Sequence, residues 1–215
     1  KAPAEKCGKP ELVKMVSNIL DPVGKMDGDS LPVSVFMDHV DGQFELGAAA
    51  YEKRGVAVSV PTWDAAKCIQ CNQCAYVCPH ATIRPFALTG EELAAAPEGT
   101  KSALWKAGPG KDKYKFAIGV SPLDCMGCTL CVKACPVSNK ALADAAKTVA
   151  EQQPDLDAKA AAKEAAKLAA PKLAIEMVPQ AKGLYQQATF DYCVNNVSEK
   201  KELINNTVKG SQFKQ

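Results

Sequence analysis

An α+β fold is predicted on three observations. One cysteine-rich run occurs twice. A short alternating strand pattern, ending in a proline, lies ahead of each copy. Two long Ala- and Lys-rich stretches follow at helical spacing. Because strand and run recur together, the fold is expected to carry pseudo-twofold symmetry.

The runs are Cys68-Ile-Gln-Cys71-Asn-Gln-Cys74-Ala-Tyr-Val-Cys78-Pro79 and Cys125-Met-Gly-Cys128-Thr-Leu-Cys131-Val-Lys-Ala-Cys135-Pro136. Both read C-x2-C-x2-C-x3-C-P, the bacterial pattern for 4Fe-4S clusters, and they take up eight of the ten cysteines. Three cysteines at steps of three wrap one corner of a cubane, each thiolate on a different iron. The fourth sits one residue too far along to close the same cube, and in two-cluster ferredoxins it ligates the other cluster. The expected ligand sets are therefore Cys68, Cys71, Cys74 and Cys135 for cluster 1, and Cys125, Cys128, Cys131 and Cys78 for cluster 2. A four-thiolate cluster is anionic and needs backbone N–H donors nearby. Gly127 suits that close approach. Zinc usually takes two separated C-x2-C pairs, and a disulfide framework belongs to short secreted chains, so neither accounts for this pattern.

Composition narrows the function classes. The 215 residues suffice for one or two domains, and a net charge of +2 gives no reason to expect a nucleic-acid partner. No apolar run approaches the roughly 18 residues of a membrane span, so no membrane role is expected. The opening Lys-Ala-Pro-Ala-Glu-Lys-Cys lacks the apolar core of a signal peptide. Dense cysteine without a secretion signal implies reduced thiols and a cytoplasmic protein. The first residue is not Met, so a piece of a longer chain is expected.

Three regions are expected. Residues 1–55 form an N-terminal helix and extended linker. Pro10 suits a first helical position, and Leu12, Met15, Val16, Ile19 and Leu20 share one face. Asp21-Pro22 should end that helix. Beyond it, Gly28-Asp-Ser-Leu-Pro-Val-Ser-Val-Phe36 and Asp41-Gly-Gln-Phe44 read as extended chain broken by turns. Residues 56–180 form the ferredoxin-like two-cluster domain, with insertions at about 86–112 and 139–171. Its strands are Val56/Val58/Val60, Tyr114/Phe116/Ile118/Val120 and Leu173/Ile175/Met177. Thr89–Ala96 reads as a short helix, and Gly108-Pro-Gly110 as a turn. The 139–171 insertion is a helical hairpin broken at Pro154, its first apolar face Leu142, Ala145, Ala146 and Val149. Its lysines form a solvated face, with an ionic docking surface for an acidic partner as the alternative. Residues 181–215 are a polar tail leading to a following domain, with one helix near Tyr185–Val194. Cys7 and Cys193 read as packed thiols. His80 is expected to pack beside a cluster, and His39 to be isolated and exposed.

Several stretches resemble the pyruvate:ferredoxin (flavodoxin) oxidoreductases, the single-chain 2-oxoacid oxidoreductase family. They are Gly28-Asp-Ser-Leu-Pro-Val-Ser-Val-Phe36, Glu52-Lys-Arg-Gly-Val-Ala-Val-Ser-Val-Pro-Thr-Trp63, the run from Cys68 through Pro79-His-Ala-Thr-Ile-Arg-Pro85, Ser121-Pro-Leu-Asp-Cys125 and Val208-Lys-Gly-Ser-Gln-Phe213. The resemblance implies an electron relay. Two clusters here would carry single electrons from thiamine-diphosphate-dependent oxidation of pyruvate to acetyl-CoA, and pass them to ferredoxin or flavodoxin. It further implies that thiamine diphosphate, Mg and a third 4Fe-4S cluster lie elsewhere in a parent chain, which is expected to be a homodimer. No thiamine motif and no third set of cluster cysteines is present here, so no catalytic residue is assigned to this segment. The 139–171 insertion departs from the family pattern. The competing readings are a free-standing ferredoxin-type subunit of another oxidoreductase and a zinc module without redox chemistry.

Overall fold

The computed structural model describes residues 9–106 and 112–203. Cys7, the turn expected at Gly108-Pro-Gly110 and the end of the tail lie outside the described residues. Two units divide the chain, one ending at Gly55 and the other starting at Val56.

In the first unit, α1 (Pro10–Met15) runs through a π-helical turn at Val16–Leu20 into α2 (Asp21–Gly24). Leu12, Met15, Val16 and Ile19 are buried together against Val35, Ala48 and Tyr51. The helix does not stop at Asp21-Pro22, as its sequence suggested. The π turn widens the coil where the proline ring would otherwise press on the carbonyl four residues back. The stretch expected to be extended is instead coiled into 3-10 turns at Gly28–Ser30 and Val33–His39. Leu31 and Val35 donate their N–H groups to the carbonyls of Gly28 and Pro32, at 3.1 and 3.0 Å. Among the described residues no strand pairs with this stretch, and local turns are how its backbone meets its hydrogen-bonding demand. His39 is not isolated: its ring stacks on Phe44 at 4.8 Å, and Nδ1 lies 2.9 Å from the Gln43 carbonyl.

The second unit is α+β. Strands β1 (Ser59–Trp63) and β5 (Ile175–Pro179) form an antiparallel ribbon, with Val60 opposite Val178 and Trp63 opposite Ile175. A two-stranded ribbon is all edge, which is why Pro61 is tolerated inside β1. Val56 and Val58 precede the strand and are exposed, so the valine alternation marks its approach, not its body. The second sheet has strand order β2-β4-β3, all antiparallel: β2 (Ile83–Leu88), β3 (Ala103–Leu104) and β4 (Lys115–Val120).

Central β4 is buried on both faces. Phe116, Ile118 and Val120 join Trp63, Ile83, Trp105, Tyr114 and Ile175 in the main core. On the opposite face Ala117 packs with Phe86, Leu88 and Cys193, the last supplied by helix Gln186–Asn196. Gly119 is needed here: a Cβ would stand 2.7 Å from the Phe86 ring. Between β2 and β3 a short helix, Gly90–Ala94, starts at a capping box in which Thr89 and Glu92 satisfy each other's backbone N–H groups.

The Ala/Lys-rich region is a helical hairpin, Pro136–Gln152 and Ala158–Ala169, packed through Ala145, Val149, Ala165 and Ala169. Ala146, expected on that face, is exposed. Asp157 caps the second helix by accepting from the N–H groups of Lys159 and Ala160, each at 2.9 Å. The hairpin's two ends are clamped together. Ser138 Oγ donates to the Ile175 carbonyl at 3.0 Å, and the Ile175 N–H reaches back to Ser138 Oγ at 3.3 Å. Among the described residues, no helix is long and apolar enough to cross a membrane.

Candidate metal centre

Both cysteine runs have the same local backbone. Gln70 and Asn72 in the first run have φ of 61° and 62°; Gly127 and Thr129, at the matching places in the second, have φ of 69° and 65°. Left-handed conformation in a non-glycine residue costs on the order of 1–2 kcal/mol, and such strain collects at functional loops. Its effect is to turn N–H groups inward. The Gln70 N–H donates to Cys68 Sγ at 3.3 Å, and the Gly127 N–H to Cys125 Sγ at 3.4 Å. Each loop then enters a single helical turn, Gln73–Tyr76 or Leu130–Ala134, that carries the third cysteine.

Surrounding elements brace each loop. The buried Gln70 side chain donates to the Leu104 carbonyl at 2.6 Å and accepts the Lys106 N–H at 2.9 Å. The Lys106 ammonium donates to the Cys68 carbonyl. In the second loop Ser121 Oγ donates to Asp124 at 2.5 Å, and the Leu123 N–H donates to Gln187 Oε1 at 3.2 Å.

Cys68, Cys71, Cys74 and Cys135 line one cavity with Trp63, Asn72 and Ile175. The fourth cysteine of the second run thus stands with the first three of the first run. Cys125 lies near Cys78 and Cys128, and Cys131 near Cys125, Cys78 and Cys128; Cys131 also lies near Cys74 of the first group. The Thr82 hydroxyl lies 3.2 Å from Cys78 Sγ. His80, expected to pack beside a cluster, is exposed.

Burial, reinforced by neighbouring thiols, pushes Cys74 up to about 12. Burial likewise takes Cys131 to about 12, against the pull of the Val132 N–H. Cys125 is also raised by burial, in part offset by the Gly127 N–H. At neutral pH these thiols keep their protons unless a cation replaces them, as iron does when thiolates ligate it. Among the described residues no three His, Cys, Asp or Glu side chains converge to hold a single metal ion. Thiolates around a cubane each take their own iron and stand apart. The donor set fits a cluster in one further respect: the indole N–H of Trp63 and the side-chain amide of Asn72 are buried without a partner, and both residues line the four-cysteine cavity. An anionic cluster offers acceptors to donors of that kind.

Residues 67–139 match the family model described as a 4Fe-4S dicluster domain, and residues 2–57 match the EKR domain, described as of unknown function. Pyruvate-flavodoxin oxidoreductase of Klebsiella pneumoniae is 50% identical over 59% of this chain. The chain is homologous to the pyruvate oxidoreductases over that stretch. Pyruvate:ferredoxin oxidoreductase of Moorella thermoacetica is 49% identical over 60% of the chain, and pyruvate dehydrogenase (NADP+) of Cryptosporidium parvum 50% over 60%. The chain spans 11% of the length of the first two relatives and 7% of the third.

Sequence reading singled out the cysteines but missed Trp63, Asn72, Gln70 and Thr82. The available signal was the repeat itself. Laying one run over the other pairs Asn72 with Thr129 and Trp63 with Val120, and so exposes where the two loops differ.

Proposed function

We propose that this segment is the electron relay of a larger pyruvate oxidoreductase. Cys68, Cys71, Cys74 and Cys135 hold one 4Fe-4S cluster, and Cys125, Cys128, Cys131 and Cys78 hold the other. The observation that carries the reading is the cavity shared by Cys68, Cys71, Cys74 and Cys135, three ligands from one run and one from the other. Ribbon β1–β5 and the β2–β4 pair, each beside one cysteine loop, support a pseudo-twofold ferredoxin-like domain over residues 56–180. Residues 1–55 then form a separate N-terminal element, and residues 181–215 lead toward a following domain.

Oxidising pyruvate with CoA to acetyl-CoA and CO2 releases two electrons, which one-electron acceptors must take in turn. A 4Fe-4S cluster cycles by one electron at a time and supplies that splitting when bound. This chain's own residues do the rest. The Gln70 and Gly127 amides steady Cys68 and Cys125; the apolar wall of Ile118 and Ile175 limits water at one site; the exposed Cys71 and Cys128 leave each site an edge close to solvent. Thiamine diphosphate, Mg and a third cluster belong to other domains of the parent chain, a cytoplasmic homodimer that hands electrons to ferredoxin or flavodoxin. The test is anaerobic purification of the full-length parent, with iron and sulfide analysis and pyruvate- and CoA-dependent reduction of ferredoxin. A native polypeptide of this segment's own size, or colourless protein without acid-labile sulfide, would overturn the reading.

A further inference from the structure

We propose that Trp63 and Asn72 donate N–H···S hydrogen bonds to the cluster held by Cys68, Cys71, Cys74 and Cys135, and so set its reduction potential above that of its neighbour. The inference rests on the ligand sets proposed above.

Trp63 and Asn72 are each 3% exposed. A buried polar group left unpaired costs about 1–3 kcal/mol, so side chains in this state call for an explanation. Among the described residues, the buried side-chain polar atoms without a partner belong to these two residues alone; both line the four-cysteine cavity, and Trp63 also lines a smaller one with Lys101, Gln186 and Thr189. Indole N–H is a donor and nothing else. The Asn72 amide can turn its nitrogen inward, since its terminal torsion is broadly two-fold. Asn72 Oδ1 is unpaired as well, but the two N–H groups still lack an acceptor, which the thiolates and sulfides of a cluster would provide.

The repeat supplies an internal control. Trp63 lies five residues before Cys68, and the residue five before Cys125 is Val120, which has no donor. Asn72 follows Cys71, and its counterpart after Cys128 is Thr129, with the same left-handed backbone but no amide. The unpaired side-chain N–H donors therefore stand at one site and not at the other. Charge runs the same way. The Lys106 ammonium sits on the Cys68 carbonyl, whereas Asp124 directly precedes Cys125. Reduction adds negative charge to a cluster, and N–H donors and nearby cations stabilise that charge, so the first site takes the electron more readily.

The experiment is a redox titration of the full-length enzyme, followed by paramagnetic resonance, with Trp63→Phe and Asn72→Gly. Phe keeps the ring and removes the N–H. Gly keeps the left-handed backbone and removes the amide. Cys71→Ser and Cys128→Ser, each altering the signal of its own cluster, identify which is which. Each donor variant is expected to cut the reduced-to-oxidised ratio of the Cys71 cluster about tenfold at fixed potential, a midpoint about 59 mV lower for a one-electron couple. The Cys128 cluster should not move, and Thr129→Val should leave both unchanged. An unchanged Cys71-cluster midpoint, or a shift in the other cluster, overturns the proposal. If Asn72→Gly fails to load its cluster, Trp63→Phe alone decides. Absence of two separable cluster signals in the unaltered enzyme would instead refute the two-cluster reading beneath it.

Discussion

Replacing Glu92 with Ala is expected to release the chain that follows helix Gln186–Asn196. One Glu92 oxygen accepts from the Ser198 N–H, the Ser198 hydroxyl and the Lys200 ammonium at 3.0, 2.9 and 2.6 Å. The other accepts from the Thr89 N–H and from Lys200, both at 2.8 Å. The Lys200 and Glu92 side chains are only 6% and 15% exposed. Burial by itself would push this carboxyl up, but Lys200, Thr89 and Ser198 outweigh it and bring it from 4.5 down to about 2. That drop corresponds to about 3 kcal/mol of preference for the folded arrangement. Breaking a buried ion pair from one side, which strands the other charge, costs a similar 3–5 kcal/mol or so. The assay is backbone hydrogen exchange over residues 186–203. About 3 kcal/mol corresponds to exchange on the order of a hundredfold faster through local opening. Lys200→Met combined with Glu92→Ala should recover part of the loss, because no charge is then stranded. The pH dependence follows from the sign of the shift. Folding lowers this pKa, so the stabilisation is present above about pH 4.5 and fades as the pH falls toward 2. Exchange in Glu92→Ala within about threefold of the unaltered chain would refute the reasoning.

Three further outcomes are expected. Cys135→Ala should damage the cluster built by Cys68, Cys71 and Cys74 and spare the one built by its sequence neighbours, as read from the two paramagnetic signals. Gly127→Ala should weaken the Cys125 site, because φ of 69° costs a side chain on the order of 1–2 kcal/mol and a Cβ would press within 3.2 Å of the Ser59 carbonyl; iron content after brief warming, with one of the two signals fading first, checks it. In the iron-free chain Cys74 and Cys131 titrate at about 12, above their unfolded value of roughly 8.5, so their contribution to stability is intact below the latter and lost as the pH climbs to the former. Thermal melts from pH 8 upward, compared with Cys74→Ala, measure that loss.

The two cysteine runs of the candidate site were legible because their spacing is local: every step in both runs is written within a dozen residues. The helical hairpin was legible for the same reason, its Ala-rich faces repeating at helical period. What escaped depended on long-range partners. Helix Gln186–Asn196 reads as polar, yet Gln186 is buried, its amide donating at 3.0 Å to the carbonyl of Pro61, 125 residues earlier in the chain. Val33–His39 carries valines that suggest extension, but a strand needs a neighbour, and among the described residues none pairs with this coil. Trp63 and Asn72 look ordinary in sequence. Both line a cavity closed by four stretches of the chain, around Trp63–Cys74, Ile118, Cys135 and Ile175, which no single stretch records.

The Ser138–Ile175 clamp has a consequence for handling the molecule. Chain leaving the second cysteine run and chain returning to the ribbon meet at one buried pair of hydrogen bonds, so the hairpin hangs from the domain by a closed base. Its bend, with Pro154 and Asp155 exposed to solvent, is a natural point for grafting a tag or an electrode linker. Attached there, the redox domain would be held by an appendage outside its own core, with both cysteine loops left untouched.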